Sequence, residues 1–368
     1  MDLNNLINKI DIKQERENKA LDAYAENYDK NREKLETLLS KFNGIINDNA
    51  APELLDYEGA NDYYNYVYKK INNLDFDIES VNLLTGNLYL YEIIRNDYKK
   101  NAKSGLLLSA LINKNVKAGE KVQITALMPI DYLFYKLENA EAYVNKAGDY
   151  FGTTAKNSKI YVYEAGAYAG KDMENCELHV KKADHFLGND AKNSKIYVYE
   201  AGKLTGCNME NCELHVKKAG DYLGDNAKNS RIYADEAGNF PGWTMRECEL
   251  HVKKAGEYLG DGATKSKIYA DYTGPHAGWD MDRSELHVMK AGEYLGDRAI
   301  NSKIYADEAE TNAGKDMENS ELFIYKLEGK LYKGYLEGKN KIYLGRESYY
   351  KHHLKYRLTG VKVWEKKT

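Results

Sequence analysis

Two short phrases, repeated at a fixed interval, limit what this chain can become. Glu-Leu-His-Val begins at Glu177, Glu213, Glu249 and Glu285, and Glu321-Leu-Phe-Ile is a fifth copy. Ser-Lys/Arg-Ile-Tyr begins at Ser158, Ser194, Ser230, Ser266 and Ser302. Each series steps by 36, and interleaved they set Ile160, Leu178, Ile196 and Leu214 at steps of 18. A unit of that size is too short for helical-hairpin repeats, which take roughly 30 residues or more. It fits one coil of a β-solenoid.

The residue roles inside a coil agree. Ser158, Ile160 and Val162 alternate with Lys159, Tyr161 and Tyr163, the period of a half-buried strand. One glycine recurs at Gly148, Gly166, Gly202 and onward. A second recurs at Gly152, Gly170, Gly188, Gly206, Gly224, Gly242, Gly260, Gly278, Gly296 and Gly314. A glycine fixed in every coil implies a corner with positive φ, or no room for a Cβ. Met173, Met209, Met245, Met281 and Met317 share a position with Ala155, Ala191, Ala227, Ala263 and Ala299, so large and small alternate down one interior column.

Charge explains the doubled period. The residue before each Ile or Leu runs Lys159, Glu177, Lys195, Glu213, Arg231, Glu249, Lys267, Glu285, Lys303, Glu321. Five residues later the order inverts, from Glu164 and Lys182 to Lys290 and Glu308, with Tyr272 the exception. Coils stack about 4.8 Å apart, so nearly every charge lies between two of opposite sign. Each exposed pair is worth roughly 0.2–1 kcal/mol. A one-coil slip would bring like charges together.

The expected class is mainly β: a right-handed parallel β-helix of 18-residue coils with an N-terminal α-helical segment. A left-handed hexapeptide helix fails, because stepping by six from Ile160 meets Gly166 and Asp172. Four stretches are expected. Residues 1–80 are helical, 81–139 form irregular first coils or an N-terminal cap, 140–325 the regular coils, and 326–368 basic, Tyr-rich coils or a C-terminal cap. The early start rests on steps of 18 back from Ala142 and Val144, which land in the apolar stretches at Leu88, Leu106 and Ile124. In the helical segment, Leu21, Tyr28, Leu35, Leu38, Phe42 and Ile45 lie on a heptad seam that also holds Asn31. Such a seam serves self-association or packing against the rest of the chain. Pro52 suits the first turn of a second helix, about 52–72.

Ala219-Gly-Asp-Tyr-Leu-Gly224, Ile232, Ala234, Ala237-Gly238, Gly242 and Met245 resemble the Gly-X-Gly-X-Gly domain. That β-helix closes the large subunit of glutamate synthase and forms the core of one of the subunits of formylmethanofuran dehydrogenase. The resemblance covers about residues 140–325. It implies a scaffold, and no catalytic residue carries over. The family has an extra glycine before the Ala-Gly pair, where this chain has Glu164 or Lys182 and is one residue shorter. No amidotransferase or cluster-binding segment accompanies the repeats.

The remaining chemistry is sparse. His179, His215, His251 and His287 alternate with tyrosines on an outward column, two coils apart, too far to share a zinc ion; a solvated stacking ladder is expected. Asp172, Asp280 and Asp316, each beside an interior Met, read as turn residues rather than paired catalytic carboxylates. Cys176, Cys212 and Cys248 share one column two coils apart, beyond disulfide reach, and with Cys207 they fit a reducing cytoplasm. No apolar run approaches a membrane span, and Met1-Asp-Leu-Asn-Asn-Leu lacks the pattern of a secretory signal. The stretch 325–368 carries 12 Lys/Arg, 4 Asp/Glu and seven tyrosines, in a chain of net charge −4. It is the only candidate for nucleic acid, against a protein partner or plain capping. The expectation is a non-catalytic, cytoplasmic scaffold or interaction module without cofactor or metal. The alternative is a subunit of a larger redox or amidotransfer enzyme.

Overall fold

A computed structural model describes residues 32–345, apart from 55, 56, 74, 75, 88, 89, 91, 93, 330 and 332–339. Leu21, Tyr28 and Asn31 of the seam, and the basic stretch beyond 345 with His352-His353, lie outside the described residues. Among the described residues four α-helices come first: α1 (Arg32–Ile46), α2 (Tyr57–Lys70), α3 (Ile78–Thr85) and α4 (Tyr98–Asn115). Thirteen strands follow, β1 (Lys121–Ile124), β2 (Glu141–Lys146), β3 (Lys159–Ala165), β4 (Glu177–Ala183), β5 (Lys195–Ala201), β6 (Glu213–Ala219), β7 (Arg231–Ala237), β8 (Glu249–Ala255), β9 (Lys267–Thr273), β10 (Glu285–Ala291), β11 (Lys303–Ala309), β12 (Glu321–Leu327) and β13 (Lys341–Leu344). They form one parallel sheet in chain order, a β-solenoid. Two compact units divide the chain, Met1–Lys217 and Lys218–Thr368. Among the described residues no helix is long and apolar enough to cross a membrane.

The register is the one the charges ask for. Lys159 pairs with Glu177 and Glu164 with Lys182 in the first unit; Glu285 pairs with Lys303 and Lys290 with Glu308 in the second. The first and last strand pairs depart from the period. Val122 and Ile124 face Ala142 and Val144, and Leu322 and Ile324 face Ile342 and Leu344, so these two coils each span 20 residues. Ile124 therefore belongs opposite Val144, not Ala142, and Leu344 opposite Ile324.

The two glycine columns divide the two expected roles between them. Gly152, Gly170, Gly188, Gly206, Gly224, Gly242, Gly260, Gly278, Gly296 and Gly314 have φ from +63° to +75°. Gly152 sits third in a turn closed by Thr153 N–H donating to the Tyr150 carbonyl (3.3 Å), the type II arrangement. The other column has ordinary φ but no room: a Cβ on Gly166 would lie 2.7 Å from the Gly148 carbonyl carbon. The Met and Ala residues of the interior column are fully buried.

Beneath them runs a polar ladder. In most coils the Ser or Cys before a strand accepts the N–H of its counterpart one coil earlier, as Ser194 Oγ does from Cys176 N–H (3.0 Å) and Cys248 Sγ from Ser230 N–H (3.4 Å). Asn340 accepts from Ser320 N–H (2.9 Å) in the last coil. Serine and cysteine interchange here because both supply a small acceptor.

The N-terminal end is closed by helices. Leu106, Leu107 and Leu108, expected in a coil strand, lie fully buried within α4. A short apolar run does not by itself separate buried helix from buried strand; Asp97 decides, accepting Lys100 N–H as the N-cap (3.0 Å). α4 lies where a preceding coil would. Ser109 Oγ donates to the Tyr132 carbonyl (2.8 Å) and accepts Tyr135 N–H (3.1 Å). Asn101 Oδ1 accepts Asp131 N–H (3.1 Å), and Asn113 Nδ2 donates to the Tyr135 carbonyl (2.9 Å). In α1, Leu35, Leu38 and Phe42 of the seam are buried together with Leu39 and Ile46, and α1 packs on α3 and α4. Those seam positions serve packing within the chain, and Ile45 stays half-exposed. Pro52 precedes α2 by five residues rather than opening it.

Candidate binding surface

The histidine column forms the expected stack. Tyr143, Tyr161, His179, Tyr197 and His215 follow one another at 4.5–5.1 Å in the first unit. In the second, Tyr233, His251, Tyr269, His287, Tyr305, Phe323 and Tyr343 do the same at 4.5–5.1 Å. It is less solvated than expected: His179 is 1% exposed, because rings cover both of its faces. Each Nε2 lies 2.7–2.8 Å from the glutamate two residues before it. The His287 imidazole holds the Glu285 carboxyl below its usual range, against the opposing pull of burial. These histidines orient carboxylates that already face lysines of the next coil. Among the described residues no group of three His, Cys, Asp or Glu could hold a metal ion.

The other candidates are also occupied. Asp172, Asp280 and Asp316 have φ of +53°, +47° and +50°, as turn residues do. Asp172 accepts the Tyr57 hydroxyl (2.7 Å), fastening α2 to its coil. The four cysteines are free thiols and buried; burial pushes Cys176 and Cys248 up to about 11. A further column of side chains imitates backbone. Asp131 Oδ1 accepts Asp149 N–H (2.9 Å), Asp149 Oδ1 accepts Ala167 N–H (2.8 Å), and His185 Nδ1 accepts Lys203 N–H (3.0 Å). Burial pushes the Asp131 carboxyl up to about 6, against the lowering effect of the Asp149 N–H bond.

Sequence reasoning missed a second aromatic ladder at the turns. Tyr132, Tyr150, Tyr168 and Phe186 stack at 4.5–4.9 Å in the first unit. Tyr222, Phe240, Tyr258, His276 and Tyr294 stack at 4.6–5.0 Å in the second. The signal was present: an aromatic two residues before the second glycine in nearly every coil. Against this ladder, in the second unit, stand Trp243, Asp261, Trp279 and Asp297, one position in four successive coils. Trp243 packs on Tyr222 (5.6 Å) and Phe240 (6.4 Å) and remains 39% exposed, among the most exposed large apolar side chains described. Trp279 packs on His276 (4.8 Å) and Tyr258 (5.7 Å), and its Nε1 donates to Asp280 Oδ2 (2.9 Å). The Arg298 guanidinium lies over the Trp279 ring (6.0 Å) and 3.1 Å from Asp280 Oδ1.

Two acids of this face lack such balance. Burial, then Asp280, push Asp261 up to about 6, with Arg298 opposing. Asp297 is buried and raised, and its Oδ1 has no hydrogen-bond partner; neither has the buried Nδ1 of His276. The surface offers exposed indole beside under-neutralised carboxylate, a pairing suited to organic cations. In the first unit a cleft of about 590 Å³ opens between α2, the end of α4 and the first turns, lined by Tyr64, Tyr68, Lys69, Asn113, Lys136 and Glu138. The buried Asn113 Oδ1 has no hydrogen-bond partner.

No family model matches this chain, and no curated protein or solved structure matches it.

Proposed function

We propose that this chain is a non-catalytic interaction scaffold whose solenoid holds a binding face for a protein partner. One observation carries the reading: the residue types that do chemistry elsewhere are spent on bonds within and between coils. The histidines bind their own glutamates, the serines and cysteines accept backbone N–H groups, and the turn aspartates Asp172 and Asp280 accept from Tyr57 and Trp279. What is left over is the face around Trp243 and Asp261 in the second unit. The buried free thiols fit a reducing compartment, and the proposal places the protein in the cytoplasm.

The second reading, a subunit of a redox or amidotransfer assembly, draws on the two glycine columns and their likeness to the Gly-X-Gly-X-Gly spacing. An absorption spectrum and metal analysis of the natively purified chain separate the two. The scaffold reading expects a colourless protein with neither flavin nor metal in stoichiometric amount. A bound flavin or cluster, or a partner that brings one, would favour the second reading and overturn the first.

A further inference from the structure

Arg298 stands to Trp279 as Gly262 stands to Trp243, one coil on and one residue along. Arg298 lays its guanidinium over the Trp279 indole at 6.0 Å and pairs with Asp280 at 3.1 Å. Gly262 has no side chain to lay over Trp243. This is why the Trp243 indole is exposed and that of Trp279 only half so. The place is open and conformationally ready. Gly262 has φ +64° and Arg298 has φ +58°, so the backbone already takes the form that carries an arginine one repeat later. A Cβ on Gly262 would meet nothing nearer than Thr244 Cγ2 at 3.4 Å.

The charge of the place is as uneven as its shape. Asp261 adjoins Gly262, and its carboxylate has no ion-pair or hydrogen-bond partner among the described residues. Asp280 is near enough to repel it, and Arg298, which opposes that repulsion, is engaged with Asp280. Trp243 and Trp279 are two coils apart, so the layer of Asp261 lies between theirs, about 4.8 Å in rise from each, as the layer of Arg298 lies from Trp279. Each indole packs on a ring of its own coil and on one of the coil before, Trp243 on Phe240 and Tyr222, Trp279 on His276 and Tyr258, so Trp279 borders the layer of Asp261.

We infer that the notch at Gly262, between Trp243, Asp261 and Trp279, receives an arginine side chain from a protein partner, which takes the position Arg298 takes one repeat later. Arginine fits better than lysine, because a planar guanidinium can lie on the indole and direct parallel N–H donors at the carboxylate. This inference rests on the scaffold reading and names the chemistry of its partner.

The test uses the full chain and a capped Gly-Arg-Gly peptide, with tryptophan fluorescence as the readout. A saturable change is expected with arginine. The same peptide with citrulline, planar but uncharged, should give none, and Asp261→Asn should weaken the response by about tenfold or more. Trp243→Phe should abolish it. Gly262→Arg supplies the guanidinium from the chain itself, so this variant should fold normally and no longer respond. An equal response to citrulline, or an undiminished response in Gly262→Arg, would overturn the notch. The two readings fail separately. If a native partner binds the Gly262→Arg chain as tightly as the parent, the notch falls and the scaffold stands. A cofactor and turnover in the purified chain would remove the scaffold reading whatever the peptide does.

Discussion

Positive φ is not by itself what reserves a corner for glycine in these coils. Asn157, Asp172 and Arg298 occupy left-handed positions with φ near +50° to +58°. Gly188 differs because a Cβ there would lie 2.3 Å from Ile196 Cδ1 in the interior. Gly188→Ala should lower stability by about 2–4 kcal/mol, combining left-handed strain with overpacking. Gly262→Ala, at nearly the same φ but with open space, should cost about 1 kcal/mol or less. Urea midpoints of the two variants check the contrast. Asp131 gives a pH dependence. Its folded pKa, about 6, lies above the ordinary 3.8, so the protonated form is favoured in the native state. The stability this contributes is full below the lower value and is lost as pH rises through the upper one. The loss should be on the order of 1–3 kcal/mol. Asp131→Asn keeps an acceptor for Asp149 N–H, as Asn239 does for Glu257 N–H (3.0 Å), and removes the charge. Its melting temperature should exceed the parent's at pH 7 and match it near pH 4. The unbroken glycine column from Gly152 to Gly314 was legible because invariance at a fixed step needs no partner to interpret. The turn aromatics were not, because Tyr, Phe and His change identity from coil to coil and Leu204 interrupts them.

At the scale of elements, α4 replaces a missing coil through three side chains. Ser109, Asn101 and Asn113 satisfy backbone groups that an end coil would otherwise leave unpaired. Ser109→Ala removes only the hydroxyl and leaves the Tyr132 carbonyl and Tyr135 N–H without that partner. It should cost about 1–3 kcal/mol. Hydrogen exchange should locate the loss: faster at residues 125–139, unchanged in β8 to β11. A loss spread evenly over all strands would contradict the capping role. Stepping back by 18 located β1 but misplaced its register by two residues, since no corner glycine marks the longer first coil. The same stepping turned α4 into strand, because Leu106 to Leu108 satisfy both periods. The heptad seam in α1 was read correctly as apolar. What covers it, α3 and α4, is set by tertiary packing that one sequence does not display.

Across the whole molecule, alternating charge fixes register and the interior columns supply the burial. Lys159 faces Glu141 on one side and Glu177, at 3.1 Å, on the other. Lys159→Glu would set three like charges in a row and should lower stability by about 1 kcal/mol, a loss that 1 M salt should reduce. An unchanged urea midpoint at low salt would assign the alternation no energetic part. The repeat was legible because each coil restates the same constraints. The proposed binding face was not, because it lies where the coils differ: the position of Gly262 holds Asp190, Asn226 and Arg298 in other repeats, and Trp243 and Trp279 share a column with Asp225, Asp261 and Asp297. The central claim is that the chain works by holding a partner rather than by catalysis. Native mass spectrometry of the full chain, isolated gently from its source cells, tests it most directly. The account predicts a mass above the 42.0 kDa of the chain by that of a stoichiometric protein partner, with lower occupancy in Asp261→Asn. A mass of 42.0 kDa alone, or one raised only by a flavin or cluster, would contradict it.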